Sequence, residues 1–187
     1  MAMPGAMQGF LTKRADLNGL EGYQASEYPI LLWDLHGEKG HPIRTTITEM
    51  GPQLLARLLE LNDTQEGVLV IAFAYAKDQK LELIDLKDLR ALTIALHENR
   101  SEISATYGNV SPASIGAIGR KLLQLEQGGA DKFFGEPALN LADMMRIDIS
   151  GKGMINMLRA DTLMQSPKLY TTFLFWLLSE LFENLPE

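Results

Sequence analysis

Two short apolar runs separated by more than a hundred residues limit what this chain can fold into. Tyr28 to Asp34 reads YPILLWD and Gly153 to Leu158 reads GMINML. Neither alternates polar with apolar residues. A strand of that kind is normally buried on both faces, as in parallel sheets flanked by helices. Two strands make an inadequate sheet, so their neighbours are expected to lie outside this chain.

Helix signals fill the interval. Leu54, Leu55, Leu58 and Leu59 form an i, i+4 stripe over Gly51 to Leu61, with Pro52 suited to a first turn. Asn62 with Gln65 three residues on predicts an immediate second helix carrying Val68, Leu69, Ala72 and Tyr75, and hence a helical hairpin. Asp85 or Asp88 caps a third helix running toward Ile103, with Gly108 and Asn109 ending it. Ser111-Pro112 opens a fourth helix through Ile115, Ile118, Leu122 and Leu125, closed by Gly128-Gly129. Ser166-Pro167 repeats that opening for a last helix to about Leu185. Its apolar residues, including Phe173, Trp176, Leu177, Leu181 and Phe182, occupy most of the circumference and call for contacts on more than one side.

Composition excludes several classes of function. The formal net charge of −7 over 187 residues argues against a free-standing nucleic-acid binder, which needs clustered Lys and Arg to displace phosphate counterions. With no cysteine there is neither a disulfide framework nor a thiolate metal site. The opening MAMPGAMQGF has no secretory-signal pattern. The most apolar stretch, Leu169 to Leu178, is far short of the roughly 20 residues that cross a membrane. A cytoplasmic protein without a membrane segment is expected, built as one partial domain over 1–187.

Local motifs carry little chemistry. SGKG at Ser150 to Gly153 fails as a phosphate loop, since Arg146 stands where the first glycine belongs and Gly153 replaces the magnesium-binding hydroxyl. It is expected to be a turn into a strand. LELID at Leu81 to Asp85 reads as a loop leading to a helix cap rather than a strand ending in a magnesium-binding acid. His36 and His41 flank Gly37 and Gly40, but a zinc site there would need distant carboxylates. His97 is expected to be solvated. Neither a G-x-S-x-G elbow nor an H-E-x-x-H pair occurs. Met144, Met145, Met154 and Met157 read as adaptable core filler. Arg44, Arg57, Arg120 and Arg146 are guanidiniums that a neighbouring subunit's nucleotide could meet, but each is expected in a surface ion pair. No catalytic, cofactor-binding or metal-binding residue is assigned.

The longer strings are more informative. YPILLWDLHGEKGHPIRTTITEMGPQLLARLLELNDTQEGVL, LIDLKDLRAL, YGNVSPASIGAIGRKLLQLEQGGADKFFGEP and SGKGMINMLRADTLMQSPKLYTTFLFWLLSELFENLPE resemble the YjgR-like bacterial ATPases, grouped with HerA- and FtsK-type helicases. The resemblance spans about Gly19 to Glu187. It implies a helix-dominated α/β fold, taken from a RecA-like P-loop NTPase core, with two or three short strands. Residues 19–50 and 150–187 would belong to the core and 51–149 to a multi-helix insertion. It also implies that the phosphate-binding loop (Walker A) lies upstream and the acidic strand (Walker B) downstream. ATP and magnesium are then expected for the full-length parent and none for this chain. DNA would be a partner of the parent alone. Partners of this chain would be the rest of the ATPase core, or a second copy through the apolar helix 167–185. Two rival readings are a stand-alone helical interaction module and a small apolar-ligand pocket among the helices.

Overall fold

The computed structural model describes residues 9–20, 22–24, 26–35, 37–161 and 163–184. The first eight residues, most of the stretch judged free of a signal pattern, lie outside this set, as does His36.

Helices dominate because their starts are written into the chain. α1 (Gly9–Leu17) precedes β1 (Ile30–Asp34), and β2 is the dipeptide His41–Pro42. α2 (Ile47–Leu58) begins four residues before the expected Gly51. Thr46 accepts from Glu49 N and the Glu49 carboxylate accepts from Thr46 N, so both arms of a capping box are made. Gly51, at φ 72° and ψ 165°, breaks the helical path, and Pro52 restarts it. Asn62 and Gln65 close the expected reciprocal cap on α3 (Asp63–Asp78). The expected hairpin forms, with α2 packed on α3.

Asp85 caps α4 (Leu86–Glu98) by accepting from the Lys87 and Asp88 amides, while Asp88 reaches back to the Ile84 and Asp85 amides. The single third helix expected to run toward Ile103 is instead two. The chain turns at Asn99, φ −98° and ψ 20°, before α5 (Arg100–Tyr107). The Asn99 side chain donates to Ala95 O, closing α4 where a continuous helix would have run on. α6 (Pro112–Gln127) starts at Ser111-Pro112, and α8 (Pro167–Asn184) starts after Ser166, both as expected. Between them lie the four-residue α7 (Leu141–Met144) and β3 (Ile155–Arg159).

The sheet has three parallel strands in the order β2-β1-β3. Ile30 to Asp34 of β1 stand opposite Ile155 to Arg159 of β3, in register. Leu31, Trp33, Asn156 and Leu158 therefore share one face, where Trp33 Nε1 donates to Asn156 Oδ1 at 2.8 Å. Asn156 Nδ2 in turn donates to the carbonyl of Met144 at the end of α7. α7 packs on α8, and Trp33 belongs to the same buried cluster as Phe173 and Trp176, so all these helices cover the Trp33 face. Phe133, fully buried, meets Phe173 and Trp176 edge-on, each at 5.8 Å between ring centroids.

The other face is bare, which corrects the expectation of strands buried on both sides. Leu32, Ile155 and Met157 are 49%, 41% and 49% exposed. The helices that share the buried cluster with Trp33 lie on its side, and among the described residues nothing covers Leu32, Ile155 and Met157. The methionines also depart from expectation. Met144 packs against the core, but Met145 and Met157 are exposed, and the methionine of the buried cluster is Met50. α8 buries Leu169, Phe173 and Trp176 and leaves Phe175, Leu178 and Phe182 outside, with Phe182 90% exposed. Its apolar circumference is thus covered on one side.

Candidate functional site at the carboxyl end of the sheet

Ligands of open parallel sheets bind beyond the carboxyl ends of the strands. In this chain those ends are Asp34, Pro42 and Arg159. Asp34 is only 3% exposed. Its Oδ2 accepts from the Glu38 and Lys39 amides at 3.1 and 3.0 Å, and its carbonyl accepts from Gly37 N and Ile43 N. Asp34 thus holds residues 37–39 over the strand end. Gly37 supplies the left-handed turn at φ 65°. Gly40 permits a close approach, since a Cβ there would sit 2.7 Å from Leu32 O.

Across the register, Arg159 forms an ion pair with Asp161. That hydrogen bond, with smaller contributions from the charges of Asp34 and Glu38, raises the guanidinium's pKa further. The arrangement holds one cation among carboxylates and gives the strand ends a fixed charge pattern. Among the described residues it contains no nucleophile with an adjacent base.

A cleft of about 240 Å³ opens on the Trp33 face beside this end. Leu31, Trp33, His41 and Pro42 form one wall, and Asn140, Asp143 and Arg146 the rim. The Trp33 and His41 rings meet at 5.9 Å and 58°, and Arg146 pairs with Asp143 at 2.8 Å. A second groove of about 480 Å³ runs between α4 and α6, lined by Ile94, Ile115, Gly116 and Leu123 among others.

The residues singled out in the sequence are dispersed. In SGKG, Asp148 Oδ1 accepts from Ser150 N and Lys152 N, each at 2.9 Å, and the Ser150 hydroxyl donates to the same carboxylate. Those hydrogen bonds are the leading reason the Asp148 pKa is lowered. Lys152 Nζ donates to Glu27 O at 2.6 Å and lies 5.0 Å from the Tyr28 ring centre. The Ser150 and Lys152 amides are thus taken up by a carboxylate of the same loop. The loop is a turn into β3, as its spacing indicated.

LELID is likewise a scaffold. Leu83 O and Ile84 O accept the first amides of α2, Thr48 N and Ile47 N, and Asp85 caps α4. His41 and His97 are both exposed on separate elements. Among the described residues no group of three His, Cys, Asp or Glu is placed to hold a metal. Of the four arginines, Arg146 makes the expected ion pair. Arg44 instead donates from Nη1 to Glu136 O at 2.8 Å and accepts from Leu139 N at its carbonyl, holding residues 136–139 beside it, and corrects the surface-pair expectation. Arg57 and Arg120 are exposed and make no ion pair among the described residues.

Sequence reasoning missed Asp34, Arg159 and the Trp33–Asn156 bond. An acid closing an apolar run ahead of a glycine-bracketed loop was the available signal for Asp34.

Compared with known families, residues 1–187 match the helicase HerA-like C-terminal family, and the chain belongs to that family. No curated protein and no solved structure matches it. Among the described residues no helix is long and apolar enough to cross a membrane.

Proposed function

We propose that this chain is the helix-rich middle segment of a HerA-like P-loop ATPase, a DNA translocase or helicase, and that it does not hydrolyse ATP alone. Family membership over the whole chain supports the parentage. The single observation that carries the segment reading is the one-sided sheet. Three parallel strands with helices on one face, and Leu32, Ile155 and Met157 bare on the other, form part of a three-layer α/β core. The sequence adds that no Gly-x-x-x-x-Gly-Lys-Ser/Thr loop occurs in its 187 residues.

In this reading residues 19–50 and 150–187 are core elements, and 51–149 is an insertion packed on the Trp33 face. The phosphate loop lies upstream and the Walker B acids lie downstream. ATP and magnesium belong to the parent, as does DNA, because a chain of net charge −7 offers phosphates little attraction. The working compartment is the cytoplasm. Titration calorimetry of the chain with Mg-ATP tests the proposal, with no heat of binding and no phosphate release expected. Tight binding with turnover sinks it.

A second reading is favoured by one observation, the outer face of α8. Phe175, Leu178 and Phe182 are exposed there, as a docking or self-associating helix requires. Sedimentation separates the two readings. A strict monomer at micromolar concentration that binds no hydrophobic dye leaves the interaction module without support.

A further inference from the structure

The outer side of α8 carries a knob and a hole at matched distances from its middle. Lys168, Phe175 and Phe182 recur every seven residues, so they stand in one stripe at intervals of about 10.5 Å. Phe182, near the carboxyl end, is 90% exposed. Toward the amino end, a groove of about 310 Å³ opens between α2 and α8. Leu54 and Arg57 of α2 line it with Lys168, Thr171 and Phe175 of α8, among others. Apolar walls beside two cations suit an aromatic ring, which is buried by the first and attracted by the second.

Charge is graded along the same face. α2 and α8 pack together and run in opposite directions, since Arg57 in the last turn of α2 shares the groove with Lys168 in the first turn of α8. Lys168 is paired with Glu60 at 2.7 Å, which leaves Arg57 as the uncompensated cation at this end. At the other end the Glu180 carboxyl is raised in pKa by burial, then by the charges of Glu49, in the first turn of α2, and Glu183. Neither Arg57 nor any of these three carboxylates makes an ion pair among the described residues.

A second copy turned end for end satisfies both patterns. With a two-fold axis crossing α8 at Phe175, position 182 of each copy falls opposite position 168 of the other, seven residues to either side of the axis. Phe182 then meets the groove, and Phe175 meets its own counterpart. The same rotation keeps the α2 flanks of the two copies on one side, which sets Arg57 of each against the acidic end of the other. Every contact is made twice, as two-fold symmetry requires. A parallel pair fails on both counts, because it leaves the grooves empty and places like charges together at each end.

We infer that the outer face of α8 is an antiparallel, two-fold interface between two copies of this chain, in which Phe182 of each fills the groove between α2 and α8 of the other. This rests on the second reading above, that α8 is a docking or self-associating helix.

Sedimentation equilibrium of the 187-residue chain tests it. A dimer forms at micromolar concentration, and Phe182→Ala, a change at an almost wholly exposed side chain, weakens it at least about tenfold. Arg57→Glu and Glu183→Lys each weaken it at least about tenfold as well, because symmetry repeats each repulsion. An equal mixture of those two variants recovers a mixed dimer, in which one contact keeps its native charges and the other has them exchanged. The chain has no cysteine, so single cysteines report direction. A short bis-maleimide links copies carrying Phe175→Cys and leaves copies carrying Phe182→Cys unlinked, their thiols lying about 21 Å apart along the helices. Linking at position 182, variants that do not recover on mixing, or a dimer untouched by all three substitutions overturns the antiparallel pairing and leaves α8 an association helix. A monomer that binds hydrophobic dye overturns the second-copy assignment and leaves the face to a different partner. A monomer that binds none removes the second reading itself, and the inference with it.

Discussion

Replacing Gly40 with alanine isolates the contact between the 35–40 loop and the central strand. The added Cβ would meet Leu32 O at 2.7 Å, Leu32 C at 2.9 Å and Trp33 C at 3.0 Å. Carbon contacts are comfortable at about 3.5–4.0 Å, so all three are too short. Each partner is main chain of β1, so no side-chain rotation relieves the clash. Either the strand shifts, disturbing its register with β3, or the loop lifts and lengthens the Asp34 bonds to Glu38 N and Lys39 N. Overpacking of this kind costs about 1–3 kcal/mol, and rigid partners place it in the upper half. For a chain of this size each kcal/mol lowers Tm by about 2–4 °C, giving a drop of about 4–12 °C. Urea unfolding followed by tryptophan fluorescence measures it, with the midpoint falling and the slope unchanged. Gly67→Ala is the control, because Gly67 is an exposed α3 residue with nothing within 4 Å of its would-be Cβ. That change should stabilise by about 0.5–1 kcal/mol. Gly40→Ala within 0.5 kcal/mol of the parent, about the size of an ordinary surface change, refutes the close-contact argument.

Three further outcomes follow from the packing and charges. Asp85→Ala removes the acceptor of two α4 amides and should cost about 1–2 kcal/mol, read as a lower urea midpoint; an unchanged midpoint shows that the cap is dispensable. Phe133→Ala empties the junction of Phe173 and Trp176 and should cost about 3–5 kcal/mol, with Trp176 emission shifting red in the folded state; an unmoved spectrum would mean that the junction refills. Glu180 has its pKa raised above 4.5 by burial first, then by the charges of Glu49 and Glu183, so its ionised form is disfavoured in the folded chain at neutral pH. Stability therefore falls as pH rises through the folded pKa. Glu180→Gln should be the more stable protein at neutral pH and lose that advantage below pH 4.5, and urea midpoints across pH that show no such convergence contradict the assignment.

What the sequence made legible was local. Asn62 with Gln65, Ser111-Pro112 and Ser166-Pro167 each start a helix where they stand, because a cap is decided within four residues. Thr46 with Glu49 carried the same signal and was passed over in favour of Pro52, four residues late. The turn at Asn99 has no breaker beyond the asparagine itself. β2 offers two residues, one a proline, and exists only because the 35–40 loop returns the chain to β1. The site suffered most. Asp34 faces Arg159 through a register set by everything folded between them, and no spacing rule spans that distance. The bare sheet face was half legible, since apolar strands too few for a sheet were visible, but which face stayed open depends on where the helices pack.

The pairing of β1 with β3 also sets a timetable for synthesis. Trp33 and its partner Asn156 are 123 residues apart. At about 5–20 residues per second, a ribosome delivers the second roughly 6–25 s after the first. Throughout that wait Ile-Leu-Leu-Trp has only the two residues of β2 to pair with, while the helical hairpins, whose contacts are close in sequence, have time to form. The helices between the two strands are therefore expected to fold first and to offer β1 an apolar surface to rest on before it pairs with β3. A nascent chain stalled before Ile155 should hold its helices and still bind ribosome-associated chaperones through that strand.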